Sequence, residues 1–177
     1  MESPARTWKP NSKRNGFSLI ELLIVVAIIL VIAAIAVPNF LRARIAANES
    51  SAVGSLRTIT STNTQYYMTY GTGYATNVAT LGGATPCVPS AVTACLLDPV
   101  LTTGTKSGYT IVTTPNQVIN GVWTGFEATA TPLGVGLTGQ RAFCADQTNV
   151  IRFNTTGADI TTAAGACAAI PSAQIVQ

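Results

Sequence analysis

The chain has 177 residues, with ten basic and seven acidic side chains, no histidine and 47% hydrophobic residues. This length fits one modest domain plus an anchor and excludes two separate cores. Four basic side chains and one acidic side chain fall in residues 1–16, so the rest of the chain carries six of each. Such a balanced surface lacks the basic patch that nucleic acids require, and no specific nucleic-acid site is evident.

The first predicted element is an apolar helix, residues 17–37, preceded by a basic leader, residues 1–16. The helix includes an unbroken apolar run from Leu22 to Val37. As a helix, residues 17–37 would be about 31 Å long, which matches the hydrocarbon thickness of a bilayer. Because Lys and Arg stay on the cytoplasmic side of a membrane, the leader is expected inside and the chain after Pro38 outside.

Glu21 lies at the amino-terminal edge of this apolar run. A carboxylate at lipid depth costs roughly 2.5–3.5 kcal/mol, so a charge kept there needs a partner. Cleavage between Gly16 and Phe17 would create one, because it would free an α-amine on Phe17 of another copy. At about 4 Å and an effective dielectric constant near 20, such a pair is worth about 4 kcal/mol before desolvation.

These residues resemble the amino termini of type IV prepilins and type II secretion pseudopilins. The junction of Gly16 and Phe17, Glu21 as the fifth residue after it, and Pro38 as the twenty-second match that family residue for residue. The resemblance implies that a prepilin peptidase cuts after Gly16 and methylates Phe17. It also implies that Glu21 pairs with a neighbour's amino terminus in a helical filament of identical subunits, built with an inner-membrane assembly platform.

Two other interpretations of the amino terminus stay open. The small-residue run Ala34-Ile35-Ala36 is typical of a secretory signal peptide, which would be cut before Val37. The segment could also be a plain uncleaved anchor. Against both stand the length of the apolar run, beyond the roughly 7–15 residues of a signal peptide, and the cost of Glu21.

The apolar period continues beyond Val37 and predicts that residues 38–70 form the amphipathic half of the same helix. Pro38 predicts a kink within it, or a local loosening that the family resemblance suggests. Gly71 and Gly73 are expected to end the helix. The face predicted to pack on the domain contains Leu41, Ile45, Ala52, Leu56, Ile59, Asn63, Tyr66 and Tyr70. The opposite, polar face is predicted to contain Arg44, Asn48, Glu49, Ser55 and Arg57.

Residues 71–108 are rich in Gly, Thr, Pro and Ala and predict a loop region, with a helical turn near Leu96–Val100. The chain has four cysteines, which in an exported domain predict disulfides. Three pairings are possible, and closeness in sequence favours the local one. A four-cysteine zinc site is the alternative, but the spacings fit no usual zinc motif. The favoured pairs are Cys87 with Cys95 and Cys144 with Cys167.

Residues 109–177 are predicted to form an antiparallel sheet and a tail that Cys167 ties to it. Four runs rich in β-branched and aromatic residues predict about four strands. The predicted fold is therefore α+β, a long amino-terminal helix packed on a roughly four-stranded antiparallel sheet, and the family resemblance implies the same pilin fold. The strands are predicted at Gly108–Thr114, Val122–Thr131, Arg141–Ala145 and Val150–Asn154.

Catalytic signatures are lacking, so the chain is predicted not to be an enzyme and to need no cofactor or metal. Asp98, Glu127, Asp146 and Asp159 are scattered in sequence and are predicted to be solvated. The clustered tyrosines, together with Trp123, are predicted to pack where helix meets sheet. An aromatic path for electrons or a stacking platform is the alternative.

Taken with the resemblance, these features predict a type IV pilus subunit for adhesion, surface motility or DNA uptake. The alternatives are a type II secretion pseudopilin and a secreted or anchored domain that does not polymerise. Asp159 alone makes a poor calcium cage, which favours the pilin over the pseudopilin. The precursor would lie in the inner membrane with its carboxyl-terminal domain periplasmic, and the product would be an extracellular pilus or a periplasmic pseudopilus.

Overall fold

The structure is a computed structural model that describes residues 16–171 and 174–176, so the predicted leader lies outside the described residues except for Gly16. The described chain forms two compact units, one ending at Asn39 and the other beginning at Phe40. The helices are α1 (Leu19–Tyr70), α2 (Val78–Leu81) and α3 (Pro99–Thr102). The strands are β1 (Thr105–Lys106), β2 (Tyr109–Ile119), β3 (Val122–Pro132), β4 (Ala142–Asp146) and β5 (Ile151–Asn154).

Helix α1 is 52 residues long and remains helical through Pro38. Its final turns are rich in threonine, which is a weak helix former. Threonine hydroxyls in these turns donate hydrogen bonds to backbone carbonyls one turn earlier, and the Thr64 hydroxyl does so to the Thr60 carbonyl at 2.9 Å. The helix ends where Gly71, at φ +64°, donates its N–H to the Tyr67 carbonyl. A left-handed glycine at this position is a common helix terminator. The predicted helix end is therefore correct to within a residue.

The five strands form one antiparallel sheet in the order β1-β2-β3-β4-β5. Asn120 and Gly121 join β2 to β3, and both have positive φ, as a two-residue hairpin turn requires. The predicted α+β class and antiparallel sheet are confirmed. Strand β1 is the addition to the four predicted strands, and it has only two residues.

The main core lies between the sheet and the part of α1 that belongs to the second unit. Helix residues Ala52, Leu56, Ile59 and Tyr66 are buried there, which confirms this part of the predicted face. The prediction is wrong for Leu41, which is 46% exposed. The prediction for the opposite face is wrong for Glu49 and Ser55, which are also buried. The sheet contributes Tyr109, Ile111, Phe126, Ala128, Ala130, Phe143, Ala145 and Ile151.

The expectation of a single core is wrong, because a second, smaller core lies among Ala142, Cys144, Ile160 and Cys167, with Ile170 packed against it. The segment after β5 is thereby joined to β4, and the disulfide between Cys144 and Cys167 crosses this core. The other disulfide joins Cys87 to Cys95 in the loop region after α2.

Candidate assembly site

The predicted processing junction is exposed. Gly16 and Phe17 precede the first residue of α1, and Phe17 is 85% exposed. Apart from its chain neighbours, no heavy atom of the described residues lies within 4 Å of the place where a Cβ on Gly16 would be. Among the described residues, the peptide bond between Gly16 and Phe17 is therefore exposed.

Glu21 lies in the first turn of α1, where the acid faces unpaired backbone donors. Its Oε2 accepts a hydrogen bond from the Ser18 backbone N–H at 2.9 Å. The positive end of a helix macrodipole lies at the same place and favours an anion. Within the described residues, no cationic side chain forms an ion pair with Glu21. Within the described part of the chain, the amino terminus of its own helix therefore holds this carboxylate.

The apolar half of α1 is exposed along its length. One 18-residue window reaches a mean hydropathy of 3.3, with none of it buried, so the helix is long and apolar enough to cross a membrane. The large aliphatic side chains from Leu19 to Val37 are all exposed. Small residues such as Ala27, Ala33 and Ala34 interrupt them, and small residues allow close helix–helix approach in lipid.

In the second unit, a partly buried ion pair that the sequence did not predict joins α1 to the connection between β3 and β4. Glu49 Oε2 accepts from Arg141 Nε at 2.9 Å and from its terminal nitrogen at 2.6 Å. Glu49 Oε1 accepts the backbone N–H groups of Gln140 and Arg141. Arg141 also lies over the rings of Phe143 and Phe153, which adds cation–π attraction.

Tyr109 lies beside this ion pair and is fully buried. Burial, and to a lesser degree the Glu49 carboxylate, raise the pKa of Tyr109 to about 12, although Arg141 opposes this. Its hydroxyl donates to the Arg141 carbonyl at 2.9 Å. The Tyr109 hydroxyl therefore stays neutral and donates its hydrogen bond next to the ion pair of Glu49 and Arg141.

The prediction that the four acids are solvated is wrong for Glu127 and Asp146. Glu127 is 1% exposed and Asp146 is 4% exposed, and they face each other across β3 and β4. Glu127 Oε1 accepts the Gly165 N–H at 2.9 Å, while its Oε2 has no hydrogen-bond partner among the described residues. Asp98 and Asp159 are exposed, as predicted.

The aromatic residues pack around the carboxyl-terminal end of α1. The ring centroids of Tyr67 and Tyr74 lie 4.9 Å apart, and those of Tyr74 and Phe126 lie 4.8 Å apart. The Tyr66 hydroxyl donates to the Ala91 carbonyl at 2.6 Å. This is the predicted packing of helix and sheet. Among residues 16–171 and 174–176, no group of three or more His, Cys, Asp or Glu could hold a metal ion.

Comparison with known proteins agrees with the geometry of the amino terminus. Residues 11–37 match the model of the prokaryotic N-terminal methylation motif. The chain is also 47% identical, over 49 residues, to the type IV major pilin protein PilA of Myxococcus xanthus (strain DK1622). That match covers 28% of this chain and 22% of the relative. No solved structure matches the chain significantly.

The exposed glycine–phenylalanine junction, the acid in the first helical turn and the apolar run up to Val37 all lie within residues 11–37, which match the methylation motif. The two sequence matches support the type IV pilin family, as the sequence resemblance predicted. The amino-terminal helix fits a membrane anchor.

Proposed function

We propose that this chain is a structural subunit of a type IV pilus. A prepilin peptidase would cleave it after Gly16 and methylate Phe17, and an inner-membrane platform would assemble it into a surface filament. The observation that carries the proposal is Glu21, an acid kept in the first turn of an otherwise apolar, exposed helix. The methylation motif and the similarity to a major pilin support it.

The hydrogen bond from Ser18 to Glu21 suggests how the precursor tolerates this charge. A hydrogen bond to a charged group is worth about 1.5–3 kcal/mol, which is comparable to the cost of a carboxylate at lipid depth. During assembly, the freed amine of a neighbour's Phe17 would add a full positive charge to the same carboxylate. The pair of Glu21 and the neighbour's Phe17 amine would then select how far one helix is shifted along the next in the filament. The apolar helix faces would supply the contact area.

The first test is the amino-terminal sequence of the mature protein. Processing as a prepilin gives Phe17 as the first residue, with an added methyl group detected by mass spectrometry. A protein that begins at Val37 would instead be a secreted domain, and one that begins at Met1 would be a plain anchor. Either result would refute the proposal.

The second test is the Glu21→Gln variant, which keeps the side-chain shape and removes the charge. We expect it to insert in the membrane at normal levels and to form no surface filaments, because its register no longer gains from the Phe17 amine. Ser18→Ala is the matched control, since it alters a neighbouring side chain but leaves the Ser18 N–H. Normal filaments from Glu21→Gln in electron micrographs would contradict the role of Glu21. Filaments confined to the periplasm would indicate a pseudopilin.

A further inference from the structure

Two grooves of opposite charge lie on the second unit. The first, here called the basic groove, has a volume of about 470 Å³ and is lined by residues of α1, with Arg141 and Phe143 on its other side. Its charged lining residues are Arg57, Arg141 and Glu49. Since Glu49 and Arg141 pair with each other, the charge that remains for a partner is that of Arg57, which is exposed. The basic groove therefore suits a carboxylate.

The second groove, here called the acidic groove, has a volume of about 640 Å³ and lies over β2 and β3. Asp159 is its charged lining residue and is exposed. The Asp159 Oδ1 accepts the Thr131 hydroxyl at 2.7 Å, which holds the carboxylate at the wall of the groove. Leu133, 63% exposed, and Val112, 41% exposed, line the same groove. A side chain with an apolar stem and a cationic head, such as arginine, matches this lining.

Few exposed acids of this chain could serve as the partner of Arg57. The second unit contains five acids, of which three are buried, namely Glu49, Glu127 and Asp146. Asp98 and Asp159 are exposed. Asp98 caps α3, because its Oδ1 accepts the Leu101 N–H at 3.0 Å. Asp159 instead borders a groove, so it is the acid better placed to receive an arginine from another molecule.

The two grooves lie on opposite faces of the sheet. Phe143, which lines the basic groove, belongs to the main core on the α1 side. Thr129 lines the acidic groove and comes between Ala128 and Ala130, which belong to the main core. Because successive residues of a strand point to opposite faces, the acidic groove lies on the face away from α1. The arginine of one groove and the aspartate of the other therefore need two copies of the chain in order to meet.

We propose that Arg57 of one copy pairs with Asp159 of a second copy, with the basic groove of the first laid against the acidic groove of the second. Different patches that meet in this way join copies head to tail, and such contacts build open filaments when the rotation does not close a ring. A filament of identical subunits needs such contacts, so the inference rests on the proposed function. Each exposed pair is weak alone, and its repetition along the filament multiplies its effect.

The first test reverses the two charges in the full chain, singly and together. Arg57→Glu and Asp159→Arg should each lower the yield of fibres sheared from cells about tenfold, because like charges then face each other. The double variant restores opposite charges and should return the yield to within about twofold of the parent. Unchanged urea unfolding of each single variant would show that the loss concerns assembly.

The matched control is Asp98→Arg, which reverses the other exposed acid of the second unit. Combined with Arg57→Glu, it should not restore the fibres. Rescue by Asp98→Arg in place of Asp159→Arg would overturn the assignment of Asp159 as the partner.

The second test measures proximity without relying on charge. Arg57→Cys and Asp159→Cys are combined in one chain, and membranes and sheared fibres are treated with a short bismaleimide. The four native cysteines are in disulfides, so the added thiols are the ones that react. A head-to-tail contact links position 57 of each copy to position 159 of the next and gives a ladder of dimers, trimers and longer products on denaturing gels. Each single-cysteine variant is the control, and dimers from one of them alone would show that like faces meet, which overturns the proposal.

The combined outcomes separate this inference from the proposed function. Normal fibre yield in Arg57→Glu, together with the absence of a ladder, overturns the contact and leaves the filament proposal standing. A ladder from membranes of cells that make no fibres supports the contact and overturns the filament proposal. Absence of both fibres and ladder overturns both.

Discussion

Glu127 shows how burial changes the chemistry of a single residue in this domain. Burial is the main cause that raises its pKa to about 7 from the usual 4.5. The Gly165 N–H opposes the shift, the facing Asp146 carboxylate adds to it, and the backbone N–H groups of Ala166 and Cys167 again oppose it. The chain has no histidine, so this shift gives the described part of the chain a carboxyl group whose pKa lies near neutral pH.

The free energy of unfolding should therefore depend on pH through Glu127. The folded pKa lies above the unfolded value, so its stabilisation is complete below about pH 4.5 and is lost as pH rises through about 7. The loss amounts to up to about 3 kcal/mol, since one pKa unit is worth about 1.4 kcal/mol. Urea unfolding between pH 4.5 and 8 measures it.

The control is Glu127→Gln, a neutral side chain of the same shape that can still accept the Gly165 N–H. This variant should be nearly as stable at pH 8 as at pH 5. A wild-type protein whose unfolding midpoint is flat over the same range would show that Glu127 is ionised without penalty in the folded state.

The burial of individual side chains and their partners could not be predicted from the sequence. Gly16, Phe17 and Glu21 could be singled out because the chemistry of an acid beside an apolar run is visible locally. Glu49 could not, because a carboxylate on a helix usually faces solvent, and its partner Arg141 lies 92 residues away. Glu127 was missed for the same reason, since the segment that covers it comes 38 residues later.

At the scale of elements, regular periodicity made α1 and most strands predictable, while short or irregular elements were not. Helix α2 has four residues, and its cap is the Asn77 side chain, which accepts the Thr80 N–H. Strand β2 extends five residues beyond the predicted Thr114 and includes Pro115. Proline is tolerated there because β1 pairs only with Tyr109 and Thr110, so β2 is a sheet edge at Pro115.

The two disulfides should contribute unequally to stability. Cys144 and Cys167 are 23 residues apart and fully buried, while Cys87 and Cys95 are eight apart and partly exposed. Longer closed loops restrict the unfolded chain more, so removal should cost about 3.5 kcal/mol for the longer loop and about 2.5 kcal/mol for the shorter. Urea unfolding of the two double alanine variants compares them, each serving as the other's control. Equal losses, or the reverse order, would contradict this account.

At the scale of the whole molecule, the residues proposed for filament assembly and the residues that form the cores belong to different compact units. The first unit holds Glu21 and the exposed apolar helix, and the second holds the two cores and both disulfides. Among the described residues, every member of both cores comes after Phe40. Changes in one unit should therefore leave the other unit's behaviour intact.

A pair of variants tests this separation. Glu49→Ala should lower the free energy of unfolding by about 3 kcal/mol, because it leaves the Arg141 guanidinium and two backbone N–H groups without their acceptor. The figure is at the low end for a buried pair, since the Arg141 side chain is 41% exposed. Glu21→Gln should leave unfolding unchanged while filaments disappear. Urea unfolding followed by tryptophan fluorescence in detergent measures both.

The control for Glu49→Ala is Arg57→Ala, which removes an exposed charge from the same helix and should change stability by no more than about 0.5 kcal/mol. A Glu21→Gln protein that unfolds at lower urea than the wild type would show that the first unit supports the fold of the second. In that case, loss of filaments in that variant would reflect a damaged domain, and the charge pair with Phe17 would need separate support, such as restored filaments in Glu21→Asp.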